Sequence, residues 1–149
     1  MTHFLPTARL VISLFRAFEQ ELIRQLSTRG ITDVTPSHLN ILRHLNNGGM
    51  QISQLAKDAV LSKQLVGRIV KELEQKGYLQ LSPDPADGRV KFVRYTTKGT
   101  SLIATAVEIV TDTEQRYEKL LGSVEYKLFR KQLSRLTTLH TAQGNQNEP

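Results

Sequence analysis

The sequence predicts a mainly α-helical fold with one small β-hairpin. Two observations support this prediction. Apolar residues recur at helical spacing along most of the 149-residue chain, whereas only residues 78–95 have the composition of two strands joined by a turn. Since a chain of this length can bury a sizeable core as one unit, we expect a single domain over residues 1–149.

Two helices are expected in the first third of the chain. The first covers about residues 6–29 and ends at Gly30. The second begins with Thr35 as N-cap and Pro36 in the first helical position, includes Leu45 and should end near residues 46–49. The apolar residues at helical spacing in the first helix are Val11, Leu14, Phe15, Phe18, Leu22 and Leu26.

A pair of short helices is expected next. The first covers about residues 52–59, where the small side chain of Ala56 would let a second helix approach closely. Residues 60–62 form the turn, and Ser62 can cap the helix that follows. That second helix runs over about residues 63–76 and stops at Gly77, a residue type common at helix C-termini.

The second helix of the pair divides into two faces. One arc is apolar and must be buried; it consists of Val66, Ile69, Val70 and Leu73. The opposite arc is polar and mainly cationic; it consists of Lys63, Gln64, Gly67, Arg68, Lys71 and Gln75. Such a face is either an ordinary solvated surface or one that suits DNA, because Lys and Gln can reach base edges and Arg can neutralise phosphates. Gly67 costs about 1 kcal/mol relative to Ala inside a helix, and its missing side chain would permit close approach of a base or a helix.

The hairpin is predicted from strands over residues 78–82 and 90–95, with a turn-rich loop between them. Arg89 stands at the far end of this loop, and Lys91 and Arg94 follow on the returning strand. An Arg on a thin loop can enter the DNA minor groove, where negative potential is concentrated. The helix pair and the hairpin, in this order, describe a winged helix-turn-helix, which places its second helix in the major groove.

The segment of about residues 35–99 resembles the MarR family of bacterial winged-helix transcription factors. The resemblance rests on the family's first-helix pattern, its recognition-helix pattern and an Asp, Arg, Thr and Gly at matching spacing in the wing. The matching residues are Leu55, Ala56, Val66, Gly67, Arg68, Ile69, Val70, Leu73, Glu74, Gly77, Asp87, Arg89, Thr96 and Gly99.

Two positions depart from the family pattern. Gly88 stands where the family often has a second Arg, which removes a supplementary phosphate contact. Tyr95 replaces the usual Leu at a position expected in the core. Thr96 is expected to cap the following helix, and Asp87 to orient Arg89 or brace the wing.

The residues expected to bind DNA are Ser62, Lys63, Gln64, Gly67, Arg68, Lys71, Arg89 and Lys91. Lys63, Gln64 and Lys71 would reach base edges, whereas Ser62 and Arg68 would contact phosphates. Residues 62–99 contain eight Lys or Arg and four Asp or Glu, and so supply +4 of the net charge of +6. This concentration of basic charge is typical of a surface that binds a polyanion.

Two further helices are predicted after the hairpin, over about residues 98–121 and 124–141, and residues 142–149 are expected to be a disordered tail. The helices outside residues 35–99 supply more apolar surface than that module can cover. We therefore expect residues 6–29 and 98–141 to form a homodimer interface, as in MarR-like proteins. Packing of these helices within one chain, as a helical cap, is the alternative.

Several classes of function are excluded or disfavoured by composition. The chain has no Cys, which excludes disulfides, thiol switches and thiolate metal sites. The four His are poorly placed to share a metal ion, and no catalytic arrangement or nucleotide-binding motif is visible, so neither an enzyme nor a cofactor is expected. Without a membrane-length apolar run or a signal-peptide pattern, we expect a cytoplasmic protein that does not contact membranes.

These observations predict a homodimeric repressor that binds double-stranded DNA at a pseudo-palindromic operator. The MarR resemblance further implies a small phenolic or anionic effector that changes the spacing of the recognition helices. An RNA-binding or protein-interaction module is the alternative function. Few aromatic residues accompany the basic charge, so platforms for stacking single-stranded bases are poorly supplied.

Overall fold

The computed structural model describes residues 4–144, which form six α-helices and a small antiparallel sheet. The predicted fold class is confirmed. In chain order the elements are α1 (Thr7–Thr28), α2 (Pro36–Leu42), β1 (Met50–Gln51), α3 (Ile52–Ala59), α4 (Lys63–Gln75), β2 (Leu79–Pro83), β3 (Lys91–Tyr95), α5 (Thr97–Leu121) and α6 (Ser123–Gly144).

The helix ends follow from local sequence. Thr35 and His38 form a capping box at the start of α2, since the Thr35 side chain accepts from the His38 N–H and the His38 ring accepts from the Thr35 N–H. Ser62 caps α4 by accepting from the Leu65 N–H at 3.2 Å. Gly77 has φ +81°, a left-handed conformation that favours glycine and ends the helix there.

Three local predictions need correction. The sheet has a third strand, because β1 pairs with β3 through Met50 opposite Val93 and gives the order β1-β3-β2. Helix α2 ends at Leu42 rather than near residues 46–49, because the N–H of Leu45 bonds only three residues back, in a turn. Helix α6 extends to Gly144, so residues 142–144 are helical rather than part of a tail; the rest of the expected tail lies outside the described residues.

The chain divides into two compact units, Met1–Ile109 and Val110–Pro149, with the boundary inside α5. The first unit contains the sheet, helices α1 to α4 and the first half of α5. Its apolar core draws on every one of these elements. The largest fully buried apolar side chains in this unit are Leu26, Ile41, Leu55, Val66, Val70, Leu73, Leu79, Val93, Leu102 and Ile109.

The second unit is a helical hairpin in the part that the structure describes. Gly122, with φ +88°, separates the end of α5 from α6. Tyr126 is buried between them, and Arg130 lies 3.2 Å from Glu114 across the hairpin. Within residues 4–144, none of the helices combines the length and the hydrophobicity that crossing a bilayer requires.

Candidate nucleic-acid interface

Helices α3 and α4 pack as a helix-turn-helix around a tight turn. Ala56 is buried and lies in the face of α3 that carries Leu55 and Ile52. The turn begins at Val60, which adopts a left-handed conformation with φ 55° while its side chain is 88% exposed. The N–H of Leu61 donates to the carbonyl of Ala56 and closes the end of α3.

Helix α4 turns one face to the core and the other to solvent. Its apolar arc is at most 4% exposed and consists of Val66, Ile69, Val70 and Leu73. On the other side, the long polar side chains expected to meet DNA are all exposed; they are Lys63, Gln64, Arg68 and Lys71. The division between a buried and a cationic face is therefore the one that helical periodicity predicts.

The buried side chain of His38, on α2, contacts Glu72 of α4. The His38 ring is 2% exposed; its Nδ1 accepts from the Thr35 N–H, so Nε2 carries the proton and donates to Glu72 at 3.2 Å. The other carboxylate oxygen of Glu72 lies 3.9 Å from Arg68. His38 thus connects α2 to Glu72, which lies beside the exposed Arg68 on α4. Sequence spacing could not predict this contact.

No group of three or more metal-binding side chains occurs in the described part of the chain. His38 makes contacts with Thr35 and Glu72, and so has a structural role.

Asp84 orders the loop of the wing, by which we mean β2, β3 and residues 84–90 between them. Its carboxylate accepts from the Ala86 N–H at 2.6 Å, the Asp87 N–H at 3.4 Å and the Gln51 side chain at 2.7 Å. The hydrogen bond from Ala86 is the main reason why the pKa of Asp84 lies below its usual value. The role of Asp84 was not predicted from the sequence, although the Asp-Pro pair that begins the turn is a signal for it.

The tip of the wing is held by Asp87. Its side chain accepts from the backbone N–H of Arg89 at 3.0 Å, and its carbonyl accepts from the Val90 N–H. Asp87 therefore shapes the backbone on which Arg89 stands. The side chains of Arg89 and Lys91 are exposed, whereas the Arg94 guanidinium lies 5.0 Å from the centroid of the Phe92 ring.

Tyr95 connects the wing to the end of α2. Its hydroxyl donates to the carbonyl of Leu42 at 2.8 Å and lies 3.3 Å from that of Leu45. Both carbonyls belong to the last turn of α2 and the residues after it, so the phenol acts as a cap that a Leu could not provide. Burial raises the pKa of Tyr95 to about 12.

The wing, α4 and α5 meet at what we call the junction, formed by Gly77, Tyr78, Thr96 and Gly99. The Thr96 hydroxyl donates to the carbonyl of Gly77 at 2.6 Å and accepts from the Gly99 N–H at 3.0 Å, which caps α5 as predicted. A Cβ at Gly99 would overlap the carbonyl oxygen of Tyr78. Only glycine therefore allows α5 to lie this close to the end of α4.

A cleft of about 350 Å³ separates α4 from the wing. Its lining residues are Ile52, Lys63, Gly67, Arg89, Val90 and Lys91. Four of the eight residues expected to bind DNA thus line one concave surface. The other four, Ser62, Gln64, Arg68 and Lys71, are exposed beyond it.

Known proteins are similar to this chain in sequence and in fold. A family model described as MarR family matches residues 32–90. The chain is 27% identical over 120 residues to the transcriptional regulator HosA of Escherichia coli O111:H-, a match that covers 76% of this chain and 89% of the relative. It is 29% identical over 87 residues to the HTH-type transcriptional repressor IacR of Pseudomonas putida, covering 58% of this chain and 52% of the relative.

Solved structures share the fold over nearly the whole chain. The crystal structure of the reduced form of MarR from E. coli superposes with a TM-score of 0.76 at 22% identity, covering 91% of this chain and 98% of that one. The transcriptional regulator Tm0710 from Thermotoga maritima gives a TM-score of 0.62 at 26% identity, covering 94% and 97% of the two chains. The helix-turn-helix and the wing loop, within residues 32–90, thus match the MarR family of winged-helix transcriptional regulators, and the chain shares the fold of solved MarR structures.

Proposed function

We propose that this protein is a homodimeric repressor that binds a pseudo-palindromic operator in double-stranded DNA. One observation carries the proposal: the exposed cationic face of α4 and the Arg-bearing wing belong to the same compact unit and share a cleft. A helix in the major groove and a thin loop in the adjacent minor groove require this arrangement.

The residues on the two elements have different tasks. Gln64, Lys63 and Lys71 read base edges from α4, because their side chains are long, polar and exposed. Ser62 and Arg68 contact phosphates, which position the protein without reading sequence. Arg89 enters the minor groove from the wing tip.

The homodimer is supported by apolar side chains that the single chain leaves uncovered. On α1, five neighbouring apolar residues are between 41% and 53% exposed; they are Leu10, Val11, Ile12, Leu14 and Phe15. On α6, five more are between 37% and 75% exposed; they are Val124, Leu128, Phe129, Leu136 and Leu139. Patches of this kind mark interaction surfaces. A second copy of the chain would cover them and create the two-fold symmetry that a palindrome requires.

Repression is the sign of regulation that we propose, because one of the relatives, IacR, is named as a repressor. A dimer on an operator would exclude RNA polymerase from the same DNA. A small phenolic or anionic effector would release it by binding one spacing of the two recognition helices more tightly than the other.

A second cavity offers suitable chemistry for such an effector. It measures about 500 Å³ and adjoins the junction at Tyr78. Lys98 supplies an ammonium group there, which also donates to the carbonyl of Lys76 at 2.7 Å, and Leu102 supplies an apolar wall. The Asp33 carboxylate also lines the cavity and accepts from the Tyr78 hydroxyl, so a phenol fits this lining better than a strongly anionic ligand. Calorimetry with simple phenols and aryl carboxylates tests this part of the proposal, and saturable binding that Lys98→Met weakens is the expected result. Heat of dilution alone across the set would contradict it.

The test of DNA recognition is selection of bound fragments from random duplex DNA, followed by titration with a selected duplex, an unrelated duplex and an RNA of the same length. We expect a recovered inverted repeat whose half-sites lie about one helical turn, roughly 10 bp, apart. Affinity should fall steeply as salt is raised, because phosphate contacts release counterions. Recovery of no common sequence, or preference for the RNA, would contradict the proposal and favour an RNA-binding module.

A further inference from the structure

We propose that the cleft between α4 and the wing seats one phosphodiester of the DNA strand that divides the major groove from the minor groove. This inference rests on the proposed function and assigns a ligand to a specific part of the surface. If α4 lies in one groove and Arg89 in the next, the intervening strand has to pass between them. The cleft is the concave surface that separates these two elements.

The rim of the cleft carries positive charge from both sides. Lys63 stands at the first turn of α4, and Arg89 and Lys91 stand on the wing. No acidic residue is among the six residues that line it. Cations converging on one concave site from two separate elements favour a single anionic group, which both elements can contact at once.

Gly67 supplies a second, independent observation. It lies inside α4, where glycine is unfavourable relative to alanine, yet a Cβ added there would meet no atom within 4 Å. Packing among the described residues therefore does not require glycine at this position. Gly67 lines the cleft, so its missing side chain leaves room for a group from outside the chain.

The floor of the cleft distinguishes a phosphodiester from a free anion. Ile52 is buried and Val90 is half-buried, so an apolar floor lies beneath the cationic rim. A backbone unit of DNA has this same division, because a charged phosphate is flanked by the apolar edges of two deoxyriboses. Inorganic phosphate could use the rim but would leave the floor empty.

The experiment measures whether one phosphate of the operator is coupled to Lys91. Single uncharged methylphosphonates are placed at each position of one half-site, and binding is measured with the wild-type dimer and with Lys91→Gln. We expect one position at which the methylphosphonate weakens operator binding by the wild-type protein about tenfold. At that position it should weaken operator binding by Lys91→Gln less than twofold. Lys131→Gln, on the exposed surface of α6, removes the same charge outside the cleft and should keep the full tenfold effect.

Gly67→Ala gives an opposed pair of effects that a purely structural role would not produce. The variant should melt about 2–4 °C higher, because alanine favours the helix, yet should bind the operator about tenfold more weakly, because its methyl group fills the seat. Gly48→Ala is the matched control, since a Cβ there also meets no atom and Gly48 lies outside the cleft. It should leave operator affinity unchanged.

The outcomes separate this inference from the proposed function. If wild-type protein binds its operator but no phosphate is coupled to Lys91, or if Gly67→Ala binds as tightly as wild type, the seat is disproved and the regulator stands. If inorganic phosphate at matched ionic strength competes with the operator, and Lys91→Gln abolishes that competition, the cleft is a free-anion site instead. If no duplex binds at all, both proposals fail together.

Discussion

Val60 has an unusual backbone conformation for its residue type. Among residues 4–144 it is the one non-glycine residue with positive φ, and its β-branched side chain is 88% exposed. A left-handed conformation costs such a residue about 1–2 kcal/mol, and in this turn no buried contact of the side chain offsets the cost. The turn between α3 and α4 is therefore strained at a single residue.

Replacing Val60 by glycine should release this strain. We expect Val60→Gly to raise the free energy of unfolding by about 0.5–1 kcal/mol, once the greater freedom of glycine in the unfolded chain is subtracted. Urea denaturation provides the measurement. Val60→Ala keeps a Cβ and should gain little, so equal gains for both variants would show that strain is not the cause.

The two DNA-facing elements should respond differently to single substitutions. Arg89→Ala should weaken operator binding by about 1–3 kcal/mol without unfolding the protein, because Arg89 is exposed and its backbone is held by Asp87. Gln64→Ala should instead lower the preference for the operator over unrelated DNA, because it removes base readout. Gel-shift titrations on both duplexes separate these effects, and a uniform loss for Gln64→Ala would contradict base contact.

The wing as an element depends on Asp84, which holds two backbone N–H groups of the loop and the side chain of Gln51. We expect Asp84→Ala to weaken operator binding about tenfold, comparable to loss of one contact, because Arg89 would no longer be presented in a fixed position. The melting temperature should also fall by a few degrees, because the loss of these hydrogen bonds costs stability, but the protein should stay folded. Asp112→Ala, at an exposed carboxylate on α5, serves as the control and should bind the operator at least as tightly as wild type, because loss of a negative charge favours binding to DNA. Equal losses of affinity for the two variants would show that wing order is not the cause.

The contact that Tyr95 makes between the wing and α2 should cause the stability of the protein to fall at alkaline pH. Tyr95 has a pKa of about 12 in the folded protein and about 10 when unfolded. The contribution of Tyr95 to the free energy of unfolding is therefore complete below pH 10. It is lost as the pH rises toward 12, because the unfolded chain releases the phenolic proton first. Tyr78, which donates to Asp33 at 2.6 Å, behaves in the same way.

Tyr95→Phe should therefore be less stable than wild type at pH 7 by about 1 kcal/mol, the value of a lost hydrogen bond. This deficit should shrink as the pH is raised from 9.5 to 11.5. Urea midpoints across that range provide the measurement. A deficit that stays constant with pH would show that the hydroxyl of Tyr95 is not protected in the folded state.

At the scale of the molecule, the proposed dimer predicts the effect of charge on α6. Leu136 is 48% exposed in the single chain, so Leu136→Glu would cost little in a monomer. In a dimer that covers this surface, an unpaired carboxylate would be buried, and we expect dissociation at micromolar concentration with weakened operator binding. Light scattering after size exclusion measures the mass. Lys127→Glu is the control on the same helix, and a monomeric wild type would contradict the dimer itself.

Sequence alone predicted those features of the molecule that depend on neighbouring residues. The two faces of α4, the Ser62 cap and the turn at Gly77 all follow from patterns within a few residues. Strand β1 could not be predicted, because two residues carry no periodicity and pair only once β3 is beside them. The contacts of His38 with Glu72, Gln51 with Asp84 and Tyr95 with Leu42 join residues more than 30 positions apart, where local patterns give no signal.

The junction has a mechanical consequence. One residue, Thr96, stands between the last strand and α5, and its hydroxyl is bonded to the end of α4 and to the first turn of α5. Gly99 also lies against the Tyr78 carbonyl, so α5 is connected to β3 and to the end of α4 without a flexible linker. A tilt of the first turns of α5 should therefore move α4 and the base of the wing together.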